Sequence, residues 1–232
     1  METKSCLRHN ACMQIVMTPD ILLAAYAQGL FPMADNAQSD AVHWFCPEKR
    51  GQLSIDKMHI PRRLKKSVRQ MKIAGAPYEI HINRDFKSTI EACAKIQNGR
   101  EETWINEKII DAYCTLHSLG FAHSVETWQE GALVGGLYGV SIGGAFFGES
   151  MFSSQTDASK VALVHLAARL KKTGFKILDT QFTNDHLEQF GVYEIDYDDY
   201  MEQLKSAVTM ECNFMDCAIT EKELVTNYLS ER

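Results

Sequence analysis

No uninterrupted apolar run in this chain of 232 residues approaches the ~20 residues needed to cross a bilayer, so no membrane-spanning helix is expected. The opening METKSCLRHNACMQ lacks the apolar centre and cleavage site of a secretory signal, and a cytoplasmic location is expected. The seven cysteines (Cys6, Cys12, Cys46, Cys93, Cys114, Cys212, Cys217) are odd in number and scattered, with no CxxC pair and no histidine at finger-like spacing. Tetrahedral zinc sites need closely spaced soft ligands, so reduced thiols and no metal are expected. A net charge of −6 excludes a surface that is basic all over. Repeats and low-complexity linkers are also absent. What is present, 45% hydrophobic and 23% charged residues, suffices to bury a core in one or two globular domains.

Punctuation along the chain predicts its elements. TPDILLAAYAQGLFP reads as a helix with Thr18 as N-cap, Pro19 first, Ile21, Leu22, Ala25 and Tyr26 on one face, and Gly29 as the stop. VHWFCPEKRGQLSI reads as short strands separated by turns at Pro47 and Gly51. In HIPRRLKKSVRQMK, Pro61 opens a helix with Ile60, Leu64, Val68 and Met71 on one face. Its other positions carry Arg62, Arg63, Lys65, Lys66, Arg69 and Lys72, with no carboxylate among them. Such a run is either a solvated face or a patch for a polyanion. Without an RRM, KH or helix-turn-helix signature, any such contact would be to phosphates and carry little sequence information.

Further on, YEIHINRDF predicts a strand, Phe86 to Ile96 a helix, and Glu107 to Ser118 a helix ended by Gly120. AHSVETW predicts a strand that turns at Glu130-Gly131 into LVGGLYGVSIGGAFFGESMF. Thr156 or Asp157 caps a helix to Lys172 with Ala158, Val161, Ala162, Leu166 and Leu170 inward. FKILDTQF and VYEIDY predict strands around a helical turn at NDHLEQFG, and Asp199 to Val208 a helix; the remaining tail is polar. An order of three strands, helix, strand, helix, strand from Ala122 onward indicates an α+β sheet.

The glycine-rich stretch Leu133–Phe152 is not a phosphate loop. It matches neither GxxxxGK(S/T) nor GxGxxG, and no helix start follows its glycines. A hairpin turning at Gly143-Gly144 fits, with Gly135, Gly136, Gly139 and Gly148 at points of close approach. Alternation sets Phe146, Gly148 and Ser150 on one face and Phe147, Glu149 and Met151 on the other. A carboxylate in so apolar a strand needs a partner: Glu149 either meets a structural Arg or Lys or awaits a cationic substrate. In LDTQFTND, Asp179 and Gln181 are expected on one face, where a carboxylate bonded to an amide fixes that amide; a polar strand end is the alternative. Ser124 and His123 are adjacent on a strand and cannot form a dyad, and no GxSxG elbow is present.

With AYAQGLFP, ETWI, AHSVE, LVGGLYG, FFGESMFS, ASK and LDTQ in order, the chain resembles the leucyl/phenylalanyl-tRNA–protein transferase family from about Thr18 to Ile195. The resemblance implies an α+β fold: a small N-terminal α/β domain (18–75, after a flexible segment 1–17), a GNAT-like acyltransferase domain (76–210) with a mixed, largely antiparallel sheet, and a C-terminal tail (211–232). It implies a bacterial cytoplasmic enzyme without cofactor. Such an enzyme moves leucine or phenylalanine, less readily methionine, from Leu-tRNA or Phe-tRNA to the N-terminal Arg or Lys of acceptor proteins, marking them for N-end rule degradation.

By the same resemblance Asp179 and Gln181 are the catalytic relay, and Leu137, Phe146, Glu149, Leu166 and Leu170 form the aminoacyl pocket. Trp104, Asn184 and Met33, where some relatives carry Trp, lie at the adenosine, and Lys65, Lys66 and Arg69 hold the tRNA. After Ile195, DYDD replaces a basic pair found in some relatives. Two other readings compete. An acetyl-CoA-dependent GNAT acetyltransferase would need the loop Q/R-x-x-G-x-G/A, where SSQTDASK stands. A non-catalytic RNA-binding module would leave Asp179 and Gln181 without a role.

Overall fold

The computed structural model describes residues 17–39, 41–95 and 103–231. Most of the expected flexible N-terminal segment, with Cys6 and Cys12, lies outside the described residues, as does Ile96 at the end of an expected helix.

The N-terminal part holds α1 (Pro19–Ala27), β1 (Phe31–Ala34), β2 (Val42–Phe45), β3 (Lys49–Leu53), α2 (Arg62–Gln70), β4 (Lys72–Ile73) and β5 (Ala76–Pro77). The middle holds β6 (Glu79–Ile82), α3 (Phe86–Ala94), α4 (Glu107–Ser118), β7 (Ala122–Gln129), β8 (Ala132–Ile142) and β9 (Ala145–Ser153). Then follow α5 (Ala158–Lys172), β10 (Ile177–Gln181), α6 (Asp185–Glu188), β11 (Tyr193–Asp196), α7 (Tyr197–Ala207) and α8 (Glu221–Ser230). Thr18 caps α1 as its sequence predicts, its hydroxyl accepting from the Ile21 amide. Ile21, expected inward, is instead 45% exposed, whereas Leu22, Ala25 and Tyr26 are buried and Leu23 packs partly buried against the same cluster.

One seven-stranded sheet runs β11-β3-β10-β9-β8-β7-β6. Every neighbouring pair is antiparallel except β9 with β10, so the sheet is mixed and largely antiparallel. β3, within the stretch expected as a small N-terminal domain, lies between β11 and β10 inside this sheet. Gly51 is therefore a mid-strand residue, not a turn. A Cβ there would stand 2.7 Å from the Phe182 carbonyl carbon, so glycine lets the chain after β10 cross β3 closely.

Two apolar clusters cover the two faces. α2, α5 and α8 contribute to one, and α1, α3, α4 and α7 to the other. The hairpin β8–β9 lies between them, and at Gly135 a Cβ would stand 2.4 Å from Ala158 Cβ, where α5 begins. α5 was expected to bury one stripe, yet Val161 to Leu170 are buried all round. The reason is α8, which covers its outer side and falls in the tail that composition marks as merely polar. α8 opens with a capping box between Thr220 and Glu223 and buries Leu224, Val225, Tyr228 and Leu229. Its Glu221 bonds Arg169 and, at 3.0 Å, His165 Nδ1 on α5.

Leu224→Ala in this docked helix is expected to lower the free energy of unfolding in urea by about 2–5 kcal/mol. Ile21→Ala on the exposed face of α1 is expected to change it by less than about 0.5 kcal/mol. Comparably small losses at both positions would contradict the docking of α8.

Candidate active site

A cavity of about 700 Å³ opens where β9 and β10 part. Their parallel pairing ends at Asp179 opposite Phe147. Beyond it, β9 continues against β8 to Ser153, whereas β10 bulges against β3 between Asp179 and Gln181. The gap is walled by Glu149 and Met151 on one side and by Thr180 and Gln181 on the other. Leu137, Leu163, Leu166, Leu178 and Leu187, all buried, supply apolar lining. Trp104, Asn184, Asp185 and His186 complete the polar part.

Leu137, Glu149, Leu166, Trp104, Asn184 and Gln181 thus come together as the sequence suggests. Phe146 and Leu170 do not line the cavity. Phe146 pairs beside Leu178 and stacks on Phe214 at 5.3 Å, and Leu170 is fully buried in the same cluster. Met33, opposite His43 in the β1–β2 pair, packs against the other cluster and does not line the cavity either. Lys65, Lys66 and Arg69 lie apart on α2, where with Arg62, Arg63 and Gln70 they border a shallow concavity of about 710 Å³. Among the described residues these cations form no ion pair.

Asp179 lies behind the cavity wall, fully buried. Arg50, 1% exposed, donates from Nε to both its oxygens at 3.0 Å and sets Nη2 2.9 Å from Oδ2. The guanidinium also donates to the Gly29 carbonyl at 2.9 Å and lies over the Phe31 and Tyr200 rings at 4.6 and 5.0 Å. Tyr200 donates its hydroxyl to Asp179 Oδ2 at 2.5 Å. The remaining lone pairs serve the site: Asp179 Oδ1 accepts from the Gln181 backbone N–H at 2.8 Å. Here the expectation needs correcting. The bulge interrupts the alternation, Gln181 takes a φ of +59°, and Asp179 fixes its backbone rather than its side-chain amide.

The Gln181 side chain turns instead toward Glu149, its Nε2 lying 3.5 Å from Oε1. Among the described residues Glu149 pairs with neither Arg nor Lys; it accepts from Tyr26 at 2.6 Å and from Tyr113 at 3.1 Å. The two hydroxyls also touch each other. Three contacts among three groups need three protons, and two phenols supply only two, so the triangle is completed when Glu149 is protonated. Burial pushes its carboxyl up to about 7, aided by Asp179 and opposed by the tyrosine hydrogen bonds and Arg50. Tyr26 and Tyr113 are raised well above their ordinary range, first by burial and then by the charge on Glu149, so both remain donors.

Sequence reasoning missed Arg50, Tyr113 and Tyr200. Tyr26 read only as a core residue, and Arg50 sits beside Lys49 in a run that looks solvent-facing. The isolated acid Glu149 did signal a need for partners, but hydroxyl donors from α1 and α4 are visible only once the helices are placed.

Glu149 binds its proton more tightly folded than unfolded, because its carboxyl is raised from 4.5 to about 7. The stability of its neutral form is therefore complete below about pH 4.5 and lost as pH rises through 7. At 1.36 kcal/mol per unit the loss is at most about 3 kcal/mol. Glu149→Gln, which keeps a neutral group there, should not show it. The unfolding free energy of wild type minus that of Glu149→Gln should fall across this window, and a difference independent of pH would contradict the assignment.

Comparison with known proteins identifies the family. Residues 52–205 match the family described as leucyl/phenylalanyl-tRNA protein transferase, and residues 16–48 match the N-terminal domain of that family. A leucyl/phenylalanyl-tRNA–protein transferase of Maricaulis maris is 52% identical over 193 residues, covering 83% of this chain and 87% of that protein. Proteins of the same name from Caulobacter vibrioides and Paramagnetospirillum magneticum are 50% and 48% identical, covering 89% and 83% of this chain and 93% and 90% of their own lengths. On the strength of both the matched profile and these relatives, the chain belongs to the leucyl/phenylalanyl-tRNA–protein transferase family.

Proposed function

We propose that the protein transfers leucine or phenylalanine, less readily methionine, from Leu-tRNA or Phe-tRNA to the N-terminal Arg or Lys of acceptor proteins. In the cytoplasm of its cell, that product enters N-end rule degradation. The observation that carries this reading is an apolar cavity whose polar wall joins the Gln181 amide to the Glu149 carboxyl. An aliphatic or aromatic side chain fits the leucine-lined part, and a methylene more or less there changes binding by only ~1–3 kcal/mol, which suits a site accepting Leu, Phe and Met.

The reaction forms an amide by attack of the acceptor's α-amino nitrogen on the aminoacyl ester carbon. The ester C–O bond breaks, and the ribose oxygen leaves with a proton. An α-amino group has an ordinary pKa of ~7.7–8.0, so orienting the neutral amine is much of the task. Gln181 Oε1 accepts from that amine, while Nε2 faces Glu149. Asp179 is a positioning residue in this scheme, holding Gln181 through its backbone. Trp104 and Asn184 border the place of the terminal adenosine, and Lys65, Lys66 and Arg69 meet acceptor-stem phosphates without reading sequence.

An acetyl-CoA-dependent acetyltransferase fits less well, since SSQTDASK supplies no pyrophosphate loop ahead of α5. An RNA-binding module would leave the cavity unused. Labelled Leu-tRNA incubated with a peptide beginning with Arg should yield labelled peptide. Gln181→Ala should lower turnover by about 10²-fold or more while tRNA affinity stays near wild type. No transfer by wild type under conditions where tRNA binds would refute the enzymatic reading, and parallel losses of turnover and tRNA affinity would refute the role of Gln181.

A further inference from the structure

In the reading above, an aminoacyl-tRNA meets this protein at two separate places, its acceptor stem at the cations of α2 and its aminoacyl end in the cavity. A ligand held at two places gains from both only if their spacing is kept, because the second contact then forms at a high effective concentration. Whatever fixes α2 relative to the cavity therefore contributes to use of the donor without touching it.

The ties that do this gather on α8. This helix lies beyond residue 205, where the family match ends, so that match assigns it nothing. It packs against both α2 and α5. On α2, Leu64 and Val68 turn into the core while the cations border the outer concavity. On α5, Leu163 and Leu166 line the cavity, and His165 and Arg169, four positions apart on one side of the same turns, both reach Glu221 of α8.

Two further ties run to the connection that leads from β3 into α2. Tyr228 of α8 donates its hydroxyl to the Ile55 carbonyl at 2.8 Å. Lys171 on α5 lies 3.4 Å from Asp56 in that connection and 2.6 Å from Glu231, just after α8. Apolar packing is non-directional, whereas hydrogen bonds and ion pairs fix direction as well as proximity. Together they join the entry to α2 and the back of the pocket helix to one element.

We infer that α8 is a brace between the tRNA-holding helix and the aminoacyl pocket, with Glu221 and Tyr228 as positioning residues for the donor. This rests on the transferase reading and on the tRNA contact at α2 proposed above.

The test compares two donors, using the full-length protein and a peptide beginning with Arg. Leu-tRNA spans both places, and leucyl-adenosine carries the same ester without a stem. Lys65→Ala combined with Lys66→Ala should lower kcat/KM for Leu-tRNA by about tenfold or more and leave leucyl-adenosine within about twofold, which marks the contact at α2. Glu221→Ala should also cost Leu-tRNA about tenfold, chiefly through KM, with leucyl-adenosine again within about twofold of wild type. Tyr228→Phe, which removes one hydroxyl and little else, should show the same pattern at about threefold. Thermal melts set an assay temperature at which each variant is folded.

Equal losses for both donors in the Glu221 and Tyr228 variants would make these residues structural only, and no loss for either donor would show that α2 is held without them. Both results overturn the brace and leave the transferase intact. If the α2 variant keeps full activity with Leu-tRNA, the contact at α2 fails and the brace with it. If wild type uses neither donor, the transferase reading itself fails.

Discussion

The Arg50–Asp179 ion pair lies almost wholly out of water, and three regions of the chain converge on it. Arg50 brings β3, bonds the Gly29 carbonyl after α1 and lies over Phe31. Asp179 brings β10, and Tyr200 brings α7. Removing one partner of a buried pair costs about 3–5 kcal/mol, because the other charge is left uncompensated. Aromatic rings over the guanidinium and donors around the carboxylate lessen the desolvation penalty. The pair also does something that a hydrophobic replacement could not: a spare carboxylate lone pair holds the Gln181 N–H, and with it a left-handed residue at the end of a strand.

That constraint shapes the cavity. β10 stops following β9 once Asp179 is fixed to Arg50, and the separation creates room between Glu149 and Gln181. Inside this room the apolar lining and the polar wall have separate origins. Leucines from β8, α5 and β10 give an environment that holds an apolar side chain mainly by burial. Glu149 is tolerated beside it because Tyr26 and Tyr113 reach it from α1 and α4 on the other face of the sheet. The same carboxyl, pushed up to about 7, changes charge near neutrality, so the polarity of the wall is not constant over the physiological range.

Much of this architecture was legible in the residues. Glycines delimit α4 and the β8–β9 hairpin because these signals are local, whereas Asp157, expected as the cap of α5, takes a φ of +67° and makes no capping hydrogen bond with its side chain. Glu149 stood out because one acid in an apolar strand violates alternation. What was not legible depends on distant parts of the chain. Arg50 and Tyr200 become a cage for Asp179 only when strands far apart in sequence are placed side by side, and Gly51 looked like a turn because its crossing neighbour Phe182 is distant in sequence. Phe146 and Leu170 were drawn into the pocket by resemblance, whereas register and helix rotation place them in the core behind it. α8 was overlooked because its apolar residues are few, and its anchor Glu221 gains meaning only opposite Arg169 and His165.

The central claim is that Arg50 and Asp179 act as one unit that holds Gln181 in place, and a double-mutant cycle with Arg50→Met and Asp179→Asn measures this most directly. Each single variant should lose about 3–5 kcal/mol of unfolding free energy, because a buried charge or its donors lose their counterpart. The double variant should lose much less than the sum, with a coupling energy above about 1.5 kcal/mol. Single losses that simply add in the double variant would show the two residues to be independent and would contradict the account.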